Sequence, residues 1–203
     1  MSHEALIIFA KLPRPGEVKT RLGENLGMKE AAEVYRTFAE HAFSLGHQLL
    51  ATGKKIYVFY EPRAGADQMR SWVGPSFRLA SQKGETLGDR MRDAFEQTFA
   101  QGSARTVIIG TDVPELDAGS LERAFDALLD HDAVIGPSTD GGYYLLGMNA
   151  PVKDVFDGLV WSAATVYHET LERFRRLRLS FAELNELADI DTMTDYNAYL
   201  ERT

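Results

Sequence analysis

Asp112 is a carboxylate that stands just beyond a predicted buried strand. An unbroken β-branched run from Thr106 to Ile109 precedes it, and such a run predicts a central strand that is covered on both faces. In open α/β sheets, ligands bind beyond the carboxyl ends of the strands, and Pro114 holds the chain after Asp112 in a turn. Asp112 also lies too far upstream to cap the helix expected near Ser120. We therefore predict that Asp112 is a metal ligand and a catalytic residue.

A loop rich in cations follows the first apolar run, Ala5 to Ala10, which predicts another buried strand. The loop, residues 11–22, contains two prolines and one glycine, which interrupt regular structure. A strand, a loop with cations and glycine, and the start of a helix together form a layout that holds phosphates. A solvated charged loop is the alternative. The residues predicted to bind the substrate here are Lys11, Arg14, Gly16, Lys19 and Arg21.

Two more aspartates, Asp189 and Asp191, flank Ile190 near the C-terminal end of the sequence. Alternate residues of an extended segment point the same way, so these two carboxylates can share one face and one cation. The chain has no cysteine, which excludes disulfides, thiol catalysis and thiolate metal sites. A cation held by carboxylate oxygens is typically Mg²⁺ or Mn²⁺. We predict a metal site formed by Asp112, Asp189 and Asp191.

Asp140 lies in a turn, residues 138–142, between two predicted strands. Two interpretations stay open: an Asp-Gly hairpin turn, or a catalytic residue that binds the acceptor or acts as a general base. Gly88 falls in the first turn of a predicted helix, where glycine costs about 1 kcal/mol relative to alanine, which indicates close approach by a ligand or a strand. The other residues predicted to contact the substrate are Gly84, Gly88, Gly141, Gly142 and Trp161.

Length and composition limit the class of protein. A chain of 203 residues with 44% hydrophobic content predicts one globular domain, residues 1–203. The net charge of -8 argues against a general nucleic-acid binder, which needs a basic face. No apolar run approaches the ~20 residues that span a bilayer, and the apolar opening is too short for a signal-peptide core. The expectation is a cytoplasmic protein that does not bind nucleic acid and does not span a membrane.

Four segments, in one order, carry a resemblance to a known family. Residues 9–22, 110–116, 136–147 and 189–192 read FAKLPRPGEVKTRL, GTDVPEL, GPSTDGGYYLLG and DIDT. Together they resemble the GT-A-superfamily transferases of the selenodomain-associated or arsenosugar-biosynthesis type. The resemblance covers nearly the whole chain. It implies a nucleotide-diphospho-sugar transferase fold, which is a three-layer α/β/α sandwich with a mostly parallel, Rossmann-like sheet.

The resemblance also implies roles for the acidic residues. Asp112 matches the metal-binding aspartate of the superfamily's Asp-x-Asp position, although this chain has Pro114 where the second aspartate stands. Asp189 and Asp191 offer replacement carboxylates, as in the related 2-phospholactate guanylyltransferases, which also carry a phrase like residues 19–22. The loop lacks the glycine-rich first turn of the molybdenum-cofactor guanylyltransferases, which counts against nucleotidyl transfer.

Three hypotheses for function follow. The first is a Mg²⁺- or Mn²⁺-dependent glycosyltransferase that uses a nucleotide-diphospho-sugar donor and a small-molecule acceptor. The second is a nucleotidyltransferase that attacks a nucleoside triphosphate and releases pyrophosphate. The third, from another class, is a nucleotide-binding module without catalysis. A hard cation on oxygen ligands serves both enzymes, so only the products separate the first two hypotheses.

Overall fold

A computed structural model of the chain describes residues 3–62, 65–161 and 164–202. Strands and helices alternate along most of the chain. The strands are β1 His3–Lys11, β2 Lys55–Glu61, β3 Arg78–Ser81, β4 Ser103–Ile109, β5 Ala133–Pro137, β6 Tyr143–Met148 and β7 Phe181–Glu183. The helices are α1 Thr20–Leu26, α2 Met28–Ala51, α3 Ala66–Val73, α4 Leu87–Ala100, α5 Ala118–Asp130, α6 Val166–Leu177 and α7 Met193–Leu200, with a short 3₁₀ turn at Lys153–Val155. Within the described ranges, no helix is both long and apolar enough to cross a membrane.

The strands form one seven-stranded sheet in the order β3-β2-β1-β4-β6-β5-β7. Parallel pairing joins β3 to β2, β2 to β1, β1 to β4, and β5 to β7. Only β6 runs against its two neighbours, β4 and β5. The prediction of a mostly parallel sheet is therefore confirmed. The parallel arrangement brings the carboxyl ends of β1 and β4 to the same edge, where the cationic loop and Asp112 follow them.

Helices cover both faces of the sheet, which confirms the three-layer sandwich. Alternate residues of β1 face opposite cores, and the residues from Ala5 to Ile8 are fully buried. Leu6 and Ile8 pack in the core formed with α2, α3 and α5. Ala5 and Ile7 pack in the core formed with α4 and α6. A strand buried on both faces needs apolar residues at successive positions, which is why β1 is a continuous apolar run rather than an alternating one.

The segment after β7 returns to the carboxyl edge of the sheet. Leu187 N donates to Pro137 O at 3.1 Å, and Thr139 N donates to Leu187 O at 3.1 Å. Ile190 N then donates to Asp112 O at 3.0 Å. These backbone hydrogen bonds fix Asp189 and Asp191 beside the Asp112 loop, although the sequence separates them widely.

Helix α7 anchors the far end of this segment. Its N-cap is Thr192, which forms a reciprocal capping box with Asp195. The ring of Tyr199 packs edge-on against Phe38 of α2, with centroids 5.7 Å apart. The aspartates before α7 are therefore held from both sides.

Two adjacent leucines on α5 test whether the sheet core carries the stability of the fold. Leu128 is 2% exposed and packs against the sheet, whereas Leu129 is 61% exposed. We expect Leu128→Ala to lower the free energy of unfolding by about 2–5 kcal/mol, because it removes buried apolar contacts and leaves a cavity. Leu129→Ala is the control, because it changes helix propensity in the same way. It should change the free energy of unfolding by less than about 0.5 kcal/mol. Chemical denaturation measures both, and similar losses would contradict the packing described.

Candidate active site

A cavity of about 860 Å³ lies at the carboxyl ends of β1 and β4. Segments far apart in sequence form its walls: the cationic loop, the Asp112 loop, the turn before β6, and the segment before α7. Its position agrees with the rule that ligands bind beyond the carboxyl ends of strands. The predicted site residues that line it are Lys11, Lys19, Arg21, Asp112, Asp140, Gly142, Trp161, Asp189 and Asp191.

The other residues predicted to contact the substrate lie outside the cavity lining. Arg14 donates to Gln68 Oε1 at 2.7 Å, and its Nη1 lies 3.7 Å from Glu17 Oε2. Gly16 and Gly84 adopt positive φ angles of 81° and 133°, which favour glycine. Gly141 lies against the backbone, since a Cβ there would stand 2.1 Å from Ala164 O. We conclude that these residues shape the loops around the cavity.

Gly88 has the close neighbour that the sequence analysis predicted, but the neighbour is an indole ring. A Cβ at Gly88 would stand 2.4 Å from Trp161 Cζ2. The ring of Tyr143 meets Trp161 at a steep angle, with centroids 6.5 Å apart. Gly88 is therefore required because α4 begins directly against Trp161, which lines the cavity.

Lys19 joins the two acidic segments. Its Nζ lies 2.6 Å from Asp112 Oδ1 and 2.8 Å from Asp191 Oδ1. The Lys19 side chain is only 2% exposed, whereas those of Asp112 and Asp191 are 47% and 43% exposed. The sequence analysis placed Lys19 among the residues that contact phosphates, and the structure shows it between carboxylates. The ammonium thus bridges a pair of carboxylates that remains open to the cavity.

The backbone of Lys19 is unusual. Its φ of 47° and ψ of 43° place it in the left-handed region, immediately before α1. This conformation costs an L-residue about 1–2 kcal/mol, so the surrounding contacts must stabilise it. Burial lowers the pKa of Lys19, but the charges of Asp112 and Asp191 outweigh burial and raise it above its ordinary value. The ammonium therefore stays charged at neutral pH.

Asp140 and Asp189 form a second acidic pair in the same cavity. Burial raises the pKa of Asp189 to about 6, and the charge of Asp140 adds to the effect. Asp140 Oδ1 accepts hydrogen bonds from Ser138 Oγ at 2.6 Å and from Gly142 N at 2.8 Å. Asp140 therefore stabilises the turn between β5 and β6 and also faces the cavity, so its two interpretations are compatible.

Tyr35 lines the cavity, and the sequence analysis did not identify it. Its position on α2 fits the helical spacing of apolar residues, which gives no indication of a polar role. Its hydroxyl oxygen accepts hydrogen bonds from Lys11 N at 2.7 Å and from Thr111 Oγ1 at 3.3 Å. Burial raises the pKa of Tyr35 to about 12. The neutral hydroxyl ties the loop after β1 to the loop after β4.

Arg90 is a second residue that sequence reasoning missed. It lies one turn into α4 and lines the cavity. Its Nη1 lies 2.9 Å from Glu61 Oε2, which also pairs with Lys11 at 3.8 Å. The cationic side of the cavity thus includes Arg90 as well as the loop after β1. Its helix position resembles that of any solvated surface arginine, so the sequence pattern does not single it out.

The donor set can be tested for a divalent cation. Across the described ranges, no group of three histidine, aspartate or glutamate side chains is arranged to hold a metal. Asp112 and Asp191, however, share one bridging atom in Lys19 Nζ. Mg²⁺ is commonly held by one or two carboxylates, with water and substrate phosphates completing its shell. The pair therefore fits a cation that binds together with a phosphate substrate, and Asp189 stands on the same cavity wall.

Residues 44–163 match the family described as uncharacterized proteins conserved in bacteria, DUF2064. A comparison with curated proteins gives no significant match.

Solved structures match over almost the whole chain. A candidate nucleotide-diphospho-sugar transferase from Desulfovibrio desulfuricans G20 is 38% identical, with a TM-score of 0.91, over 98% of this chain and 87% of that one. Rv0371c from Mycobacterium tuberculosis H37Rv, in complex with manganese, is 15% identical, with a TM-score of 0.61, over 100% of both chains. CMP:2-keto-3-deoxy-manno-octonic acid synthetase, in complex with CTP, is 12% identical, with a TM-score of 0.60, over 99% of this chain and 96% of that one. The last two show a shared fold.

The contact between Gly88 and Trp161 can be tested by fluorescence. We expect Gly88→Ala to displace the indole, because the added methyl group would overlap it, and to shift the Trp161 emission to longer wavelength. The measurement uses a Trp72→Phe background, since the chain has two tryptophans. Gly110→Ala is the control, because a Cβ at Gly110, also in the cavity lining, meets nothing within 4 Å. Unchanged emission in the Gly88 variant would contradict the contact.

Proposed function

The chain belongs to the DUF2064 family and is a transferase, and we propose that it is a glycosyltransferase with a nucleotide-diphospho-sugar donor and Mg²⁺ or Mn²⁺ as cofactor. One observation carries the proposal. The carboxylates of Asp112 and Asp191 converge on one point of the large cavity, beyond the carboxyl ends of β1 and β4. A 38% identical relative named as a candidate nucleotide-diphospho-sugar transferase supports it.

The donor's diphosphate needs positive charge around it. Lys11, Arg21 and Arg90 line the cavity. Arg21 is exposed and, among the described residues, forms no ion pair, which suits a cation that binds phosphate through charge-assisted hydrogen bonds. Asp112 and Asp191 would hold the divalent cation, which when bound neutralises the diphosphate and stabilises it as a leaving group. The Rv0371c structure with manganese is in keeping with a divalent cation in this fold.

The acceptor would lie beside Asp140, which lines the same cavity. The turn hydrogen bonds of Asp140 both use Oδ1, so Oδ2 can accept a hydrogen bond from an acceptor hydroxyl. A carboxylate in this position can orient the hydroxyl and remove its proton as the new bond forms. Trp161 offers an apolar surface close by for a sugar ring or an apolar part of the acceptor.

Nucleotidyl transfer is the second candidate. It is favoured by the full-length fold match to an enzyme in complex with CTP and by the phrase of residues 19–22, which resembles the 2-phospholactate guanylyltransferases. The two reactions differ in what leaves: a nucleoside diphosphate in glycosyl transfer, and pyrophosphate in nucleotidyl transfer. A binding module without catalysis would release neither.

The decisive experiment has two stages. A thermal-shift screen covers uridine, guanosine, cytidine and thymidine diphosphates and triphosphates, with and without Mn²⁺. Ligand at 100 times its dissociation constant should stabilise the protein by about 2.7 kcal/mol. The matching nucleotide sugar or triphosphate is then incubated with an acceptor mixture. Release of a nucleoside diphosphate would support glycosyl transfer. Release of pyrophosphate would contradict that proposal and support nucleotidyl transfer.

We expect Asp112→Asn to reduce turnover by about 10²-fold or more, by analogy with other preorganised electrostatic groups. Asp191→Asn should reduce turnover to a similar extent, because both carboxylates would hold one ion. The turnover of the double variant should therefore fall by far less than the product of the two single effects. Single-turnover rates measure this, with Asp126→Asn on the exposed side of α5 as the control. Independent, multiplicative losses would argue against a shared ion.

We expect Arg21→Ala to weaken binding of the nucleoside diphosphate by roughly tenfold or more, because it removes a charge-assisted hydrogen bond. The melting temperature of the ligand-free protein should stay almost unchanged, since Arg21 is exposed. Arg14→Ala is the matched control: it removes a cation of the same loop that lies outside the cavity lining and contacts Gln68 and Glu17. Isothermal titration measures both affinities, and equal weakening would point to a general charge effect rather than a contact.

A further inference from the structure

We propose that Lys19 is a built-in counter-cation, which holds the carboxylates of Asp112 and Asp191 in the ligand-free protein and leaves them when metal and diphosphate bind together. The divalent cation would thus bind tightly only in the presence of its phosphate ligand. This inference rests on the proposed function of the site. In this inference, the Lys19 side chain couples the binding of the divalent cation to the binding of the donor's diphosphate.

The first step of the argument concerns space. Lys19 Nζ lies 2.6 Å from Asp112 Oδ1 and 2.8 Å from Asp191 Oδ1. A divalent cation that used these two oxygens would lie 2.0–2.6 Å from each, in the region that the ammonium fills. The two cations would therefore compete for one position, and their mutual repulsion at such short range is strong.

The second step concerns charge. In the ligand-free site, one ammonium balances part of the charge of two carboxylates. If a divalent cation entered alone, the positive charge of the ion and of Lys19 together would exceed the negative charge of the two carboxylates in contact with them. Asp140 and Asp189 line the same cavity but form no ion pair with Lys19. A diphosphate brings the missing negative charge and gives the displaced ammonium a new partner. Metal and diphosphate should therefore favour each other's binding.

The third step concerns what can move. The backbone on both sides is fixed: Gly23 N donates to Lys19 O at 2.8 Å, and Ile190 N donates to Asp112 O at 3.0 Å. Asp191 directly precedes the capping box of α7. The lysine side chain, by contrast, has a flexible four-carbon stem and lines the cavity. A rotation of this side chain frees the carboxylates without rearrangement of the loops.

Binding of Mn²⁺ to the ligand-free protein, measured by electron paramagnetic resonance, tests the inference. Lys19→Gln removes the charge and keeps a polar side chain, so we expect it to bind Mn²⁺ at least tenfold more tightly than the wild type. Lys29→Gln is the matched control, because Lys29 is an exposed lysine of α2 that lies outside the cavity lining. It should leave the Mn²⁺ affinity within about twofold of the wild type.

Inorganic pyrophosphate tests the coupling without the need to know the base. In the wild type, Mn²⁺ and pyrophosphate together should raise the melting temperature by more than the sum of their separate effects. In Lys19→Gln this excess should shrink, because Mn²⁺ no longer needs the anion. Lys19→Met, an unbranched apolar side chain, provides the same comparison if the glutamine variant does not fold.

The outcomes separate the inference from the function on which it rests. Equal Mn²⁺ affinity in the wild type and in Lys19→Gln would overturn the role of Lys19 and leave a metal-dependent transferase standing. Weaker Mn²⁺ binding in the variant would overturn it as well, because Lys19 would then support the metal. No Mn²⁺ binding to either protein, even with pyrophosphate, would overturn both the inference and the proposed metal dependence.

Discussion

The ion pairs of Lys19 with Asp112 and Asp191 are the interaction on which the site depends. Without the ammonium, two carboxylates from distant segments would face each other and repel. With it, the loop after β1, the loop after β4 and the segment before α7 meet at one point. The left-handed backbone of Lys19 is strained, and the contacts among these three segments stabilise it. Strain of this kind is concentrated at functional sites, where the surrounding structure fixes an otherwise unfavourable conformation.

The rest of the fold serves to bring these segments together. Parallel pairing of β1 with β4 places the two loops side by side, and Tyr35 links them through its hydroxyl. Backbone hydrogen bonds then attach the segment before α7. The buried strands provide a rigid base, so Lys19, Asp112 and Asp191 hold their positions although they lie outside the strands and helices. The apolar core thus positions the carboxylates of Asp112 and Asp191 and the ammonium of Lys19, although none of these residues belongs to it.

Much of this arrangement could be predicted from the sequence. Continuous apolar runs identify strands buried on both faces, and the rule for strand ends places Asp112 at the edge where the cavity lies. The alternation of Asp189 and Asp191 around buried Ile190 also puts both in the cavity lining. The position of the Lys19 side chain between the two carboxylates could not be predicted. It depends on a positive φ angle, which a non-glycine residue adopts only where tertiary contacts stabilise it. Tyr35 and Arg90 were missed for a related reason: helical periodicity tells which face is buried and not which polar atom a buried residue meets.

The hydrogen bond from Ile190 to the Asp112 carbonyl has a consequence for the order of events during synthesis. The ribosome makes Lys19 and Asp112 long before Asp191, so an emerging chain carries the first two groups without the third. The carboxylate pair of Asp112 and Asp191 is therefore complete only after the last segment has docked on the sheet through this hydrogen bond.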